Sequence, residues 1–243
     1  TWLPRTYPST SAAVMGLFSG LHTKVAVYML YRLYVQLFDL EQRWNVLIIV
    51  LMLISMMIGA FGGLTEKTIR RVLGYQMLNG MPFILVMLAF TSEDPSRALA
   101  AGIMYTIHHM VTVGSLILAS GAIEETYGTG DLTKLSGLAR RDTIIAWIFA
   151  AGAFSVVGFP PFSGMWGKLM IVFEVARNGG AWAWIAIAAI IIASFGALLS
   201  MMRVWKEVFW GRPMQHYPEA LNVRWRFIVP SLSMMLLSLA MFI

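Results

Sequence analysis

Four side chains that exchange protons readily stand in apolar surroundings where a charge is costly. Lys24 lies within Ser19-Gly20-Leu21-His22-Thr23-Lys24-Val25-Ala26-Val27-Tyr28, and His108 and His109 lie within Tyr105-Thr106-Ile107-His108-His109-Met110. Lys168 follows the double proline of Gly158-Phe159-Pro160-Pro161-Phe162-Ser163-Gly164 by one to two helical turns. A charged side chain at the centre of a membrane helix costs roughly 2.5–3.5 kcal/mol on insertion scales, so such residues persist mostly where they face a partner, a cavity or an ion route. The chemistry they suit is proton transfer. Histidine titrates near neutral pH, burial makes the uncharged form of a lysine accessible, and water can join the two into a row that passes protons when a nearby charge changes.

Each has a plainer reading. A lysine near a helix end can snorkel to the interface, and Lys168 can do so if the helix break sets it shallow. Lys24 is eleven residues from either end of its apolar run, which favours a functional role. Adjacent residues point about 100° apart on a helix, so His108 and His109 cannot both face one route; one packs, and the residues leave open which. His22 projects away from the Lys24 face and reads as structural. Glu174 and Glu207 stand near helix ends and read as solvated. No nucleophile sits beside a base, no phosphate loop is present, and two adjacent histidines lack the i, i+4 spacing of a shared metal site. The absence of Cys excludes thiol catalysis, iron–sulfur clusters and Cys-ligated zinc. No catalytic residue, metal or cofactor is expected.

These side chains need helices that hold them at membrane depth, and the composition supplies them. The 243 residues are 58% hydrophobic and 12% charged, with a mean hydropathy of +0.72, against about 45–50% apolar and about 25% charged in a soluble domain. A cytosolic globular domain is excluded, and so is a disordered chain. The fold is expected to be an all-α polytopic membrane protein of about seven transmembrane helices. A span needs about 20 mainly apolar residues, and seven stretches qualify: 13–35, 44–63, 72–91, 98–122, 143–176, 181–204 and 227–243. Charged or turn-forming residues part them: Asp39 to Arg43, Gly62 to Arg71, Glu93-Asp94-Pro95, a long polar connection from Glu124 to Arg141, Asn178-Gly179-Gly180, and Gly211-Arg212-Pro213. The fifth stretch is too long for one helix. Pro160 and Pro161 remove two backbone donors, with Gly158 and Gly164 beside them, so the helix should break there. Backbone freed at that depth is tolerated inside protein or against a water-filled cavity. Pro82 should kink the third helix.

Of the 18 basic residues, twelve fall in loops on the N-terminal side, Arg70, Arg71, Arg140 and Arg141 among them; only Arg32, Arg43, Arg97 and Arg177 fall on the other. The positive-inside rule then places the N-terminus in the cytoplasm and the C-terminus outside. The net charge of +6 is met by these loops, so no nucleic-acid partner is expected. The chain opens on Thr1-Trp2-Leu3-Pro4 with no initiator Met, signal peptide or basic leader, and is expected to be a piece of something longer.

Several of these motifs resemble a known family. Trp2-Leu3-Pro4, Ser19-Gly20-Leu21 before Lys24, Arg70-Arg71-Val72-Leu73-Gly74-Tyr75, the His108-His109 segment and the Gly158–Gly164 break ending in Gly167-Lys168 occur in the order seen in antiporter-like subunits. These are the proton-pumping membrane subunits of respiratory complex I and of Mrp-type multisubunit cation/proton antiporters. The tail Ser200-Met201-Met202-Arg203-Val204-Trp205-Lys206-Glu207-Val208-Phe209-Trp210 looks most like the D-type members of the Mrp antiporters. Each motif alone is weak, their order and spacing together are fairly specific, and the resemblance covers essentially the whole chain.

The family fold has fourteen helices built on two inverted five-helix repeats, each with a broken helix. The resemblance implies that residues 1–243 form a single transmembrane domain from the C-terminal half: 13–35 as the helix preceding the repeat, 44–204 as the second repeat with its broken helix at 143–176, and 227–243 as the terminal helix. It implies a proton route through Lys24, His109 and Lys168, with His108 or Thr112 helping through water. It also implies a secondary-transporter subunit in a bacterial inner membrane, working with other membrane subunits, Na+, H+ and the lipid bilayer. Alternatives are a proton-pumping subunit of complex I or of a membrane-bound hydrogenase, and a non-conducting structural subunit. Two departures matter. Many relatives carry a Lys four residues after the His, where this chain has Val113, and Asn79-Gly80-Met81-Pro82 replaces a common Ser-Gln or Ser-His before Gly. The family's first-half Glu and Lys have no counterpart here.

Overall fold

The computed structural model describes residues 2–212, 214, 216–218 and 221–241. They form eight main helices: α1 (Ala12–Gln36), α2 (Gln42–Thr65), α3 (Ile69–Ala89), α4 (Pro95–Tyr127), α5 (Thr143–Val157), α6 (Ser163–Asn178), α7 (Gly180–Phe209) and α8 (Trp225–Ala240). Short helical turns occupy Leu3–Thr6 and Leu138–Arg141. Six of the expected stretches become one helix each, and the fifth becomes α5 and α6. Residues 242 and 243 of the last stretch, Pro213 of the final loop and Thr1 lie outside the described residues.

Local signals account for the boundaries. Asp94 caps α4 by accepting from the Arg97 amide at 3.2 Å, and Pro95 follows in the first turn, where its missing N–H leaves no bond unmade. Pro82 sits inside α3 without ending it; the helix tightens to a 3-10 turn at Val86–Ala89. The connection from Glu124 to Arg141 is less polar in effect than its composition. Leu132, Leu135 and Leu138 are buried, and the Leu132 amide donates to the Lys67 carbonyl at 2.9 Å, tying this loop to the one between α2 and α3.

Helix α4, about 50 Å long at 1.5 Å per residue, is the hub. It packs on α1, α3, α5, α6 and α8, while α2 packs on α3 and α7. Most residues in the apolar stretches of α3 and α4 are buried (78% in each), against 28% in α1 and in α2, whose exposed side chains are mostly apolar. Two apolar cores form. One gathers Met15, Leu73, Met77, Val113, Leu116 and Phe149; the other gathers Val27, Ile49, Phe83, Tyr105, Ile171 and Ile190. On α1, Lys24 stands between Met15 and Val27; on α4, His108, His109 and Thr112 stand between Tyr105 and Val113. The buried polar groups therefore lie between two dry layers.

Candidate functional site

Lys24 and Lys168 are only 6% and 7% exposed, and His108 and His109 are fully enclosed. The structure divides them into three groups.

The first group joins α1, α3 and α4. Residues Phe18–His22 of α1 form one wide π turn that includes Gly20. The Lys24 ammonium donates to the Ser19 carbonyl at 2.8 Å and to Thr23 Oγ1 at 3.3 Å, and it meets His109 Nδ1 at 2.9 Å. On the other side of the ring, His109 Nε2 lies 3.4 Å from the Gln76 carbonyl. An ammonium has only donors and a carbonyl only accepts, so these contacts place the imidazole proton on Nε2 and leave Nδ1 to receive from Lys24. Among the described residues, the Gln76 side-chain amide, Asn79 Oδ1 and Ser19 Oγ are buried and have no protein partners. Buried polar atoms of this kind are commonly met by internal water.

The second group surrounds His108. Its Nδ1 lies 2.7 Å from Ser163 Oγ and 3.2 Å from Thr112 Oγ1. Ser238 of α8 closes the circuit, 2.8 Å from Ser163 Oγ and 2.7 Å from Thr112 Oγ1, and Ser155 Oγ stands 3.2 Å from Ser163. Among the described residues, His108 Nε2 has no partner.

The third group is the helix break. Helix α5 ends at Val157, Gly158 takes φ +97°, the Pro160–Pro161 bond is cis, and α6 begins at Ser163. The Lys168 ammonium donates to the Val156 carbonyl at 3.0 Å, the Val157 carbonyl at 2.8 Å and Ser194 Oγ of α7 at 2.8 Å, and it lies 5.0 Å from the centre of the Phe83 ring. The last carbonyls of a helix have no partner within it and carry the negative end of its dipole, so a cation there is stabilised by geometry. Gly158 leaves room for the lysine stem, since a Cβ there would come within 3.0 Å of Lys168 Cδ. A Cβ on Gly164 would collide with the Ser155 carbonyl, so the absence of a side chain lets α5 and α6 close on each other. Phe159, Pro160 and Pro161 are themselves on the surface of this chain; the carbonyls released by the break are what turn inward.

The residues singled out from sequence thus meet in part. Lys24 and His109 touch, and His108 and Thr112 share one circuit, whereas Lys168 makes no direct bond to either histidine. Lys168 does not snorkel. The two histidines point to different groups, as the helical angle requires. His22 bonds Tyr7 at 2.9 Å, in line with a structural role, whereas Glu174, only 15% exposed, pairs with Arg177 at 3.6 Å and Glu207 with Arg203 at 3.1 Å, so both are ion-paired and partly covered rather than simply solvated. Val113 is buried in the first apolar core. Ser19, Gln76, Ser155, Ser194 and Ser238 do not stand out in the sequence. Serine in an apolar helix is too common to mark a site, and only the π turn at Gly20 has a local signal.

Residues 1–200 match the family described as NADH:quinone oxidoreductase/Mrp antiporter, transmembrane. The chain is 30% identical over 224 residues to the D-type Na(+)/H(+) antiporter subunit of Alkalihalophilus pseudofirmus, covering 92% of this chain and 44% of that protein. The corresponding D-type protein of Bacillus subtilis is 30% identical over 212 residues, covering 86% and 42%. The chain therefore spans less than half the length of these relatives. Among solved structures, a chain of the Mrp complex from Dietzia sp. DQ12-45-1b superposes with a TM-score of 0.90 at 31% identity, over 98% of this chain and 52% of that one. A chain of the archaeal membrane-bound sulfane sulfur reductase superposes with a TM-score of 0.88 at 20% identity, over 98% and 40%, and shares the fold. With the family matched from the first residue through most of α7, the chain belongs to the NADH:quinone oxidoreductase/Mrp antiporter transmembrane family.

Proposed function

We propose that this chain is part of a proton-conducting membrane subunit of a multisubunit monovalent cation/proton antiporter, with Na+ as the exchanged cation. The observation that carries this reading is the buried polar layer in which Lys24 bonds His109, His108 lies beside it, and Lys168 rests on the carbonyls of the broken helix. Lysines this deep are costly, and helices α1, α4, α5 and α7 supply bonding groups to hold them. In this reading a proton moves along Lys24, His109 and Lys168, with His108, Thr112 and internal water spanning the gap. Residues 44–204 act as one five-helix repeat within a single transmembrane domain. The basic loops face the bacterial cytoplasm, and other membrane subunits, including the rest of a full-length subunit, complete the path.

The test is cation-dependent proton exchange in everted vesicles of an antiporter-deficient host, using the full-length subunit in its complex, wild type against Lys168→Ala, with assembly measured in parallel. Exchange lost with assembly intact supports conduction. Unchanged exchange overturns it and favours a second reading, a structural subunit that does not conduct. Val113 motivates that alternative, because it puts a buried apolar side chain where many relatives carry a lysine.

A further inference from the structure

We propose that Ser163, Ser238 and Thr112 form a hydroxyl circuit that orients His108 as a proton acceptor at Nε2, so that the terminal helix α8 contributes a positioning residue to proton conduction. The inference rests on the conducting reading above and adds residues to it.

The argument is an accounting of donors and acceptors. Four contacts close a ring: His108 Nδ1 to Ser163 at 2.7 Å, Ser163 to Ser238 at 2.8 Å, Ser238 to Thr112 at 2.7 Å, and Thr112 to His108 Nδ1 at 3.2 Å. A neutral imidazole carries a proton on one nitrogen, and the bond made there decides which nitrogen is left bare. With Nδ1–H shared between Ser163 at 2.7 Å and Thr112 at 3.2 Å, Ser163 donates to Ser238 and Ser238 to Thr112, and all four contacts have a donor. Nε2 then presents a lone pair. It is buried and meets no protein group among the described residues, and it faces Gly164, where a Cβ would lie 3.0 Å away. The Ser155 carbonyl fills the place a Gly164 side chain would take, so the carrier that reaches Nε2, a proton-bearing water, is part of the proposal and approaches from the uncovered side of the ring. A proton arriving there forms an N–H bond at Nε2 as the O–H bond of that carrier breaks, and it leaves from the same atom. The Nδ1 proton and its bond to Ser163 stay in place throughout.

The charged and titratable groups around the ring are Lys168 from α6, Lys24 from α1, and His109 and Tyr105 beside it on α4. Helix α5 carries no titratable side chain, α8 has only Arg226 in its first turn, and α3 has Arg70 and Arg71 in its first turn and Tyr75. The hydroxyl circuit is therefore the neutral element that sets the orientation of His108 among these groups.

The experiment follows the rate and pH profile of exchange in the assembled complex for Ser238→Ala, Thr112→Val, Ser238→Thr, His108→Ala and the double variant Ser238→Ala/His108→Ala, with Lys168→Ala alongside. Ser238→Ala and Thr112→Val are expected to lower the rate about tenfold, the scale of one hydrogen bond to a group that becomes charged, and to move the pH profile. Ser238→Thr, which keeps the hydroxyl, is expected to restore both. The double variant is expected to be no worse than His108→Ala. Unchanged rate and profile in Ser238→Ala or Thr112→Val overturns the proposal, as does a Ser238→Thr defect equal to that of alanine or an additive loss in the double variant. If Ser238→Ala fails to assemble, Thr112→Val alone decides. Exchange that survives Lys168→Ala sinks the conducting reading itself; exchange lost in Lys168→Ala but untouched by the hydroxyl variants sinks only this addition.

Discussion

The two buried lysines are held in different ways. Lys24 reaches across to an imidazole on another helix, 2.9 Å away, and its remaining bonds go to Ser19 and Thr23 of its own helix. Lys168 rests on two carbonyls at the end of α5 and a serine hydroxyl of α7. An imidazole nitrogen can take a proton, whereas a carbonyl oxygen only accepts a hydrogen bond and stabilises the cation. On the proposed reading both lysines lie on the proton path, but Lys24 has a proton-accepting neighbour in direct contact whereas Lys168 rests where the helix end favours its charged form. Burial alone does not separate them, since both are almost equally enclosed.

The comparison can be broken by exchanging each lysine for a group that keeps the charge. Lys24→Arg is expected to lose exchange by about 10²–10⁴-fold, the range for removing a positioned proton-transfer group, because guanidinium does not release its proton. Lys168→Arg is expected to lose exchange as well, because the proposed path runs through this amine, but to leave the break intact, since a permanent cation still satisfies the α5 carbonyls. A fall in melting temperature for Lys168→Arg as large as that for Lys168→Ala would erase the distinction. Next in size is Gly80→Ala. A methyl there would collide with the His109 imidazole, and a displacement of about 1 Å can cost about 10²-fold. Exchange should fall towards the level of His109→Ala, with assembly retained. On the Lys168 side, Gly158→Ala places a side chain at φ +97° and crowds the lysine stem; a loss of more than about 1 kcal/mol is expected, read as a lower melting temperature of the purified subunit. The smallest effect is expected for Ser194→Ala. It removes one of three Lys168 bonds and leaves both carbonyls, so exchange should change only a few-fold. A loss as large as that of Lys168→Ala would mean the hydroxyl, rather than the helix end, holds the charge.

Much of this is legible in the sequence. Apolar length and turn residues set the spans to within a few positions, because a helix in lipid must satisfy its own backbone, and Gly158-Phe159-Pro160-Pro161 announces the break because two missing donors cannot continue a helix. Lys24, His109 and Lys168 stand out because charge in an apolar run is costly. The partners of those groups are not legible. His109 meets Lys24 across 85 positions of chain and Ser238 meets Thr112 across 126, and no local pattern marks Ser238 among the other serines of α8. By itself the sequence determined an all-helical membrane chain with a broken helix and ionisable groups at depth, since these follow from composition and local backbone chemistry. Only the tertiary structure decided that one histidine serves Lys24, that the other joins a hydroxyl circuit, and that Lys168 sits on a helix end, because hydrogen bonds are chosen by distances between helices that sequence periodicity does not encode.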